Sequence, residues 1–433
     1  MPTTDELLTR AIARTRRRLL PFLLLMYVVA FLDRANVGFA KQQIQASAGI
    51  SETAFAWGAG LFFLSYALFE IPSNLILRRV GARIWMSRIM VTWGMISIAT
   101  MLVRGPVSFY ILRLLLGFAE AGFFPGVILY LTYWFPNRVR GQVMGQFYFG
   151  APLALIFGAP LSGLLLKIHC VAGLSGWQWM FLVEGLLAVG VGVWAFYYLS
   201  DRPKNASWLS DMERSELQKA LAEEDELRSA HGPSAFLAAL ADPRLFHFGA
   251  IYFLIQMSVY GVVFYLPAEV AGILGKSMGL EVGFVSTLPW ACALAAVIWI
   301  PWWANRLHQP HILAAAVLAV SGAASAAFLV PNGALALTAI CLAASGFIAV
   351  QPIFWTFPTG YLAGRAAAGG IAVINSLGAL GGFVAPNIKV WADLHFGLPA
   401  AGLYVLAGFT LLAAGLIALL GEERHFEPRT RPS

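Results

Sequence analysis

Two pairs of charged side chains stand inside long apolar stretches of the chain. Asp33 and Arg34 interrupt the segment PFLLLMYVVAFLDRANVGFA, residues 21–40. Arg113 and Glu120 interrupt another apolar stretch, and their spacing of seven residues places both on one face of a helix. A charge inside a membrane costs about 2.5–3.5 kcal/mol on insertion scales and persists where it faces a polar cavity or a partner. These four residues are therefore the first candidates for chemistry.

Two acids and two bases sum to zero charge and allow two interpretations. One is a static ion-pair cluster that locks two helices together. The other is a site that binds an anion and a proton in turn, because a carboxylate that loses its arginine to an anionic substrate can accept a proton. Arginine suits a carboxylate ligand, since its planar guanidinium can hold both oxygens. The physics favours the second interpretation. Gly117, one turn after Arg113 on the same face, leaves room for a neighbouring helix or for a substrate.

The composition is that of a membrane protein that crosses the bilayer many times. Of the 433 residues, 59% are hydrophobic and 12% are charged, whereas a soluble domain carries about 25% charged residues. The net charge of +7 comes from scattered basic residues, which does not suggest nucleic acid as a partner. Neither the cysteines nor the histidines have metal-ligand spacing, and no G-x-S-x-G sequence occurs. We therefore expect no metal, no cofactor and no enzyme activity.

Twelve apolar stretches are long enough to span a bilayer, in two groups of six. The fourth of them, residues 107–130, is predicted as one span. The second and eighth stretches both end with Ile-Pro, a short run and a basic turn, which is typical of a duplication about the membrane normal. The predicted fold is all-α, with twelve transmembrane helices in two pseudo-symmetric six-helix bundles. Its divisions are an N-terminal arm (1–18), the first bundle (19–199), a polar linker (200–245), the second bundle (246–420) and a tail (421–433).

Lysine and arginine are unevenly distributed between the two sides of the predicted bundle. Two of the 29 basic residues lie within spans, five fall in loops on one side, and 22 fall on the other side with both termini. Cytoplasmic loops carry an excess of these residues. We therefore expect both termini, and the linker, in the cytoplasm.

The second half offers uncharged polar groups instead of charges. Trp355 and Thr356 lie in the tenth stretch, and Asn375 and Ser376 lie in the eleventh, among glycines and prolines. A buried asparagine needs hydrogen-bond partners. The partner of Asn375 can be a helix carbonyl or a substrate hydroxyl, and the sequence leaves both open. We predict a cavity with a cationic wall in one half and an aromatic, hydrogen-bonding wall in the other.

Three further polar residues have weaker patterns. Tyr66 and Tyr260 can hydrogen-bond a substrate or simply pack in the core. Glu70 lies shortly before the basic turn that contains Arg78 and Arg79. We predict that Glu70 pairs with this turn and has a structural role.

Five ordered motifs give the chain its resemblance to a known family. They are AFLDRANVGFA (30–40), EIPSNLILRRVGAR (70–83), RLLLGFAEAGFFPG (113–126), the sixth span from GWQWMFLVEG to NASWL (176–209), and FWTFPTGYLAGRAAAGGIAVINSLGALGGF (354–383). With these motifs the chain resembles major facilitator superfamily transporters of the anion:cation symporter family. The resemblance implies proton-coupled uptake of an organic carboxylate by a monomer in the bacterial cytoplasmic membrane.

The same resemblance implies roles for individual residues. Arg34 matches the arginine that contacts substrate. Asp33 and Arg113 resemble a gating and coupling pair, and Glu120 resembles the carboxylate that carries the proton. Four further residues match positions that contact sugar acids in relatives: Tyr66, Trp355, Thr356 and Asn375. We add Ser376, the neighbour of Asn375, to the predicted substrate contacts.

Two departures from the family pattern bear on the substrate. Phe31 stands where sugar-acid carriers can have tyrosine, and Ala151 stands where a glutamine can lie. Both remove hydrogen-bonding groups. We therefore predict a small dicarboxylate such as tartrate, or an aromatic acid such as phthalate. The alternatives are a sugar-acid (hexonate or hexuronate) symporter and an exporter of the same fold.

Overall fold

The computed structural model describes residues 4–168, 171–229, 242–304, 306–307, 309–327, 332–361, 364–398 and 401–420. The first half contains α1 (Thr4–Ala48), α2 (Glu52–Val80), α3 (Ala82–Ala99), α4 (Pro106–Glu120), α5 (Phe123–Thr132), α6 (Asn137–Phe147), α7 (Gly150–Leu165) and α8 (Gly176–Tyr198). A helix between the halves is α9 (Asp211–Ser229). The second half contains α10 (Pro243–Leu274), α11 (Leu280–Val285), α12 (Thr287–Ala304), α13 (Pro310–Ala327), α14 (Gly333–Tyr361), α15 (Gly364–Phe396) and α16 (Ala401–Ala418).

The described residues confirm the predicted all-α membrane fold. They contain eleven segments that are long and apolar enough to cross a membrane, some of them built from two consecutive helices. The shorter apolar helix α13 lies where the ninth of the twelve spans is predicted. The predicted divisions of the chain stay predictions. The tail, 421–433, and part of the linker, 230–241, lie outside the described residues.

Helix ends follow local sequence signals. Ser51 precedes α2, and its hydroxyl accepts a hydrogen bond from the Ala54 amide at 3.1 Å. Asp242 caps α10 in the same way, with Pro243 in the first helical position. Such caps satisfy amides that have no partner within the helix. Helices α2 and α10 therefore start directly after residues that can cap them.

The predicted N-terminal arm and the first predicted span lie on one continuous helix. Helix α1 starts at Thr4 and continues without interruption to Ala48. Its first turns pack on α9, where Arg14 Nη1 lies 2.8 Å from Glu213 Oε2. We call this end of the bundle, with α9 and the connection between the halves, the linker end. The opposite end is the far end.

The fourth span is broken, which differs from the single helix predicted. Helix α4 ends at Glu120, Gly122 adopts a φ of 85°, and α5 begins at Phe123. The cause is local, because Pro125 has no amide to continue the α-helix and its ring opposes the carbonyl four residues earlier. Proline is well tolerated in the first turn of a new helix. The break therefore leaves Glu120 at the very end of α4.

Glycines bring the two halves into backbone contact at the far end. A Cβ on Gly38 of α1 would lie 2.9 Å from the Phe264 carbonyl oxygen in α10. A Cβ on Gly283 of α11 would lie 2.4 Å from the Ala159 carbonyl oxygen in α7. Small residues allow helices in membranes to approach this closely. The far end is therefore closed by direct packing of α1 on α10 and of α7 on α11.

We expect Gly283→Ala to destabilise this closed arrangement by about 1–3 kcal/mol, because the added methyl overpacks a backbone contact. The matched control is Gly190→Ala in α8, where a Cβ would meet no atom within 4 Å. Thermal unfolding of the purified protein in detergent measures the difference. Equal melting temperatures for the two variants would contradict the close contact.

Candidate functional site

The Arg34 guanidinium and the Glu120 carboxylate form a buried ion pair between α1 and α4. Arg34 Nε donates to Glu120 Oε1 at 2.7 Å, and Nη2 lies 2.6 Å from the same oxygen. The Glu120 side chain is fully buried and that of Arg34 is 10% exposed. Glu120 Oε2 has no hydrogen-bond partner among the described residues. One carboxylate oxygen thus carries the pair, and the other can still accept a proton or a hydrogen bond.

Arg34 also reaches the second half of the molecule. Its Nη1 lies 3.4 Å from the Tyr260 hydroxyl in α10, to which it donates a weak hydrogen bond. The guanidinium carbon lies 4.9 Å from the centroid of the Tyr66 ring, a distance typical of a cation–π contact. A guanidinium held by aromatic faces keeps its charge while it loses water. Arg34 therefore presents a desolvated positive charge at the boundary between the halves.

Asp33 points away from Arg34, into the first half. Its Oδ1 accepts hydrogen bonds from Asn36 Nδ2, at 3.2 Å, and from the Ser97 hydroxyl of α3. Consecutive residues on a helix point about 100° apart, so Asp33 and Arg34 cannot both face α4. Asp33 is buried, and in the described part of the chain it makes no ion pair. Its contacts are neutral hydrogen-bond donors of α1 and α3.

Asp33 and Arg113, which the family resemblance pairs, form no ion pair in the described part of the chain. Arg113 is buried and donates to the carbonyls of Gly58, at 3.3 Å, and Ala59, at 3.4 Å, on α2. Its guanidinium carbon also lies 4.8 Å from the centroid of the Phe62 ring. Through these contacts Arg113 holds α4 against α2.

Gly117 makes room for a helix and not for a substrate. A Cβ at this position would lie 2.1 Å from the Phe62 carbonyl oxygen and 2.2 Å from the Ser65 hydroxyl oxygen, both on α2. The absence of a side chain allows α4 and α2 to touch midway between Arg113 and Glu120. The positions of both charges depend on this contact.

A central cavity lies between the halves, with Arg34 in its wall. The first half contributes an arginine and aromatic side chains, and the second half contributes aromatic and amide groups. The lining residues include Tyr27, Phe31, Arg34, Phe63, Tyr66, Phe124, Tyr148, Ala151, Tyr252, Gln256, Tyr260, Gln351 and Asn375. The guanidinium and most of the aromatic side chains thus come from the first half and the amides from the second, whereas the sequence analysis expected the aromatic wall in the second half. Phe31 and Ala151, the two departures from the sugar-acid pattern, both line the cavity.

The other predicted substrate contacts differ in position. Tyr66 and Asn375 line the cavity. Trp355 packs edge-on against the ring of Tyr252, a lining residue, with 4.9 Å between the centroids. Thr356 is exposed and its hydroxyl donates to the Ile353 carbonyl at 2.7 Å, which places it outside the cavity wall.

Glu70 is the clearest error of the sequence interpretation. Its carboxylate is fully buried and accepts hydrogen bonds from Asn375 Nδ2 at 2.7 Å and from the Ser376 hydroxyl at 3.2 Å. These donors belong to α15 of the second half, whereas the sequence analysis expected a partner in the basic turn. The sequence did contain a signal against an ion pair of Glu70 within its own helix, because no basic residue lies three or four positions from Glu70 in α2.

Two glutamines of the cavity were also missed. Gln256 in α10 and Gln351 in α14 line it, each inside an otherwise apolar stretch. An isolated amide in a membrane helix is a recognisable signal, since an amide in hydrocarbon needs a partner. Both belong to the neutral wall of the second half.

The donor set suits an organic anion and not a metal ion. The described residues contain no group of three or more His, Cys, Asp or Glu side chains that could hold a metal. Cavity groups that donate hydrogen bonds are a guanidinium, tyrosine hydroxyls and side-chain amides. Such groups bind carboxylates and hydroxyls.

We expect Gly117→Ala to separate α4 from α2 and to lower the melting temperature, because its methyl would overlap backbone of α2. The matched control is Gly105→Ala, at the start of the same helix, where a Cβ would meet no atom within 4 Å. Thermal unfolding in detergent compares the two, with a loss of about 1–3 kcal/mol expected for Gly117→Ala alone. A Gly117→Ala protein as stable as the control would show that the helices are not in contact there.

Comparisons with known proteins agree with this architecture. The family model described as Major Facilitator Superfamily matches residues 23–386. The chain is 44% identical over 421 residues to "Inner membrane transport protein RhmT" of Escherichia coli, covering 97% of each chain. It is 42% identical to a "Putative tartrate transporter" of Agrobacterium vitis, covering 99% of this chain and 95% of the relative.

A solved structure shows the same fold. The inward-facing, unoccupied form of a bacterial homolog of the human lysosomal transporter Spinster matches with a TM-score of 0.73 at 18% identity. The match covers 93% of this chain and 96% of that structure. The protein is thus an integral membrane protein that acts on small molecules as a transporter and not as an enzyme, and it belongs to the major facilitator superfamily.

Proposed function

We propose that this protein couples the movement of an organic carboxylate to that of protons, by exposing the central cavity alternately to the two sides of the membrane. The observation that carries the proposal is the Arg34–Glu120 ion pair. It places a carboxylate of the protein on the guanidinium that lines the cavity. A substrate carboxylate and the Glu120 carboxylate therefore compete for one arginine.

This competition supplies the coupling. When substrate takes Arg34, the Glu120 carboxylate stays fully buried without its cation. An isolated charge in such a place is costly, so the group takes up a proton and becomes neutral. When the substrate leaves, Arg34 binds Glu120 again and the proton is released. One carboxylate and one proton thus enter and leave the site together.

The position of Glu120 strengthens this effect. Helix α4 ends at Glu120, so the carboxylate lies at the negative end of the helix dipole. Loss of Arg34 leaves it beside unpaired carbonyl groups of the last turn. Protonation removes this repulsion.

Movement of the two halves follows from contacts that cross between them. Arg34 of the first half reaches Tyr260 of the second. A ligand shifts an equilibrium between two states only when it binds them with different affinity. A substrate that draws Arg34 and Tyr260 together favours states in which the halves are close around the cavity.

Asp33 and Arg113 complete the proposed coupling set. Asp33 is a buried carboxyl whose described partners are neutral donors, so its charge is balanced only at a distance, by Arg34 and Arg113. Any change in the Arg34–Glu120 pair alters the field at Asp33. We assign to Asp33 the transmission of site occupancy to α3, and to Arg113 the support of α4.

The cavity favours a small or aromatic acid. Phe31 and Ala151 line it where hydroxyl-binding groups would suit a sugar acid, and seven of the other fifteen lining residues are aromatic. A relative named as a tartrate transporter, 42% identical, supports a dicarboxylate. Tartrate and phthalate are therefore the first candidates, with a hexonate or hexuronate as the alternative.

The remaining parts of the proposal are topological. The distribution of basic residues supports termini in the cytoplasm. The name of the Escherichia coli relative, an inner membrane transport protein, supports an inner-membrane location. We propose that one chain forms the complete path, because a single chain supplies both halves around the cavity.

We expect Arg34→Ala to reduce carboxylate affinity at least about 100-fold, because a paired guanidinium–carboxylate contact is among the strong hydrogen bonds. Arg34→Lys keeps the charge but loses the fork of donors, and we expect an intermediate loss. Isothermal titration of the purified protein with tartrate and phthalate measures both. The control is Arg104→Ala, an exposed arginine, and unchanged affinity in Arg34→Ala would refute the site.

We expect Glu120→Gln to abolish accumulation driven by a pH gradient while substrate exchange persists, because the amide cannot carry the proton. Uptake into proteoliposomes with an imposed pH gradient, beside counterflow without one, separates the two activities. Glu184→Gln is the matched control, since Glu184 is an equally buried carboxyl of α8 that accepts a bond from Ser162. Normal gradient-driven accumulation by Glu120→Gln would exclude Glu120 as the proton carrier.

A further inference from the structure

We infer that Glu70 occupies a second carboxylate-binding position of the site, and that a dicarboxylate displaces Glu70 and Glu120 together. This inference rests on the proposed function and narrows its substrate class. The first carboxylate position is Arg34, held by Glu120. The second position consists of the donors Asn375 and Ser376 and is occupied by the Glu70 carboxylate.

The contacts of Glu70 are those of a bound ligand. Each of its two oxygens accepts one hydrogen bond, Oε1 from Asn375 and Oε2 from Ser376. Glu70 is fully buried, and no ion pair of this residue exists in the described part of the chain. A buried carboxylate that has only neutral donors is weakly compensated. A substrate carboxylate can therefore compete for these donors more easily than for a cation.

The two positions belong to one cavity. Arg34 and Asn375 both line it. Tyr66, which faces the Arg34 guanidinium, precedes Glu70 by four residues in α2, about one helical turn or 5.4 Å along the axis. The two internal carboxylates therefore approach the cavity from neighbouring places in the first half.

The donors of the two carboxylate-binding positions come from different halves of the protein, which makes the site selective for dicarboxylates. Arg34 comes from the first half, whereas Asn375 and Ser376 come from the second. A ligand with two carboxylates can replace both internal partners and join the halves itself. A monocarboxylate can replace only Glu120 and leaves Glu70 on its donors. The site thus distinguishes acids by the number of their carboxylates.

Alternatively, Glu70 has only a structural role and links α2 to α15. If Glu70 is such a structural link, its replacement should destabilise the protein and change the affinity for all ligands alike. If Glu70 competes with substrate, its replacement should change the affinity only for ligands that bind Asn375 and Ser376. The ratio of affinities for matched di- and monocarboxylates separates these two roles, because any general effect cancels in the ratio.

The test compares phthalate with benzoate, which share a ring and differ by one carboxylate. Dissociation constants are measured by isothermal titration on the full-length protein in detergent, for wild type, Glu70→Gln and Glu70→Met. We expect the preference for phthalate over benzoate to rise roughly tenfold in both variants, about 1.4 kcal/mol. In the control Glu184→Gln the preference stays that of wild type.

An unchanged preference in the Glu70 variants, with binding still lost in Arg34→Ala, would overturn the inference and leave the proposed function intact. Absence of any Arg34-dependent carboxylate binding would overturn both. A series of linear dicarboxylates from malonate to adipate tests the wild type without substitutions. Two fixed positions predict one preferred chain length, and equal affinities along the series would contradict them.

Discussion

The structure depends on the burial of a guanidinium and a carboxylate that have each other as partners. Neither Arg34 nor Glu120 is tolerable alone in an apolar bundle, and together they need helices α1 and α4 at a fixed separation. That separation is set by the contact of α4 with α2 at Gly117 and by the termination of α4 directly after Glu120. Packing, helix length and backbone conformation thus all serve one ion pair.

The two halves contribute different chemistry to the space between them. The first half supplies the guanidinium of the cavity wall, and the second supplies its side-chain amides, Gln256, Gln351 and Asn375. A fixed charge attracts an anion, whereas neutral donors set its orientation at a smaller cost of desolvation. Because the polar bonds between the halves are few, and one of them, from Arg34 to Tyr260, is long, the central contact is weak enough to be broken in a cycle.

The sequence predicted the charges better than their contacts. Charges in apolar stretches stand out against their surroundings, so Arg34 and Glu120 could be found, and the resemblance to sugar-acid carriers singled out Phe31 and Ala151 at positions that do line the cavity. The direction of a side chain around its helix was harder to predict. Lipid and protein core are both apolar, so the helical period does not distinguish them as it does in soluble proteins. For this reason the sequence did not predict that Asp33 contacts α3, that Thr356 is exposed or that Glu70 contacts α15.

The break at Gly122 separates two parts of the fourth span that a continuous helix would move as one. Gly122 adopts a left-handed conformation, and a side chain there would also collide with Ser73, so no other residue fits. The segment beyond it, α5, forms its own hydrogen-bonded unit. Tilting of α5 at the linker end can therefore leave Glu120 in place. The joint therefore separates bending of the fourth span at the linker end from the geometry of the ion pair.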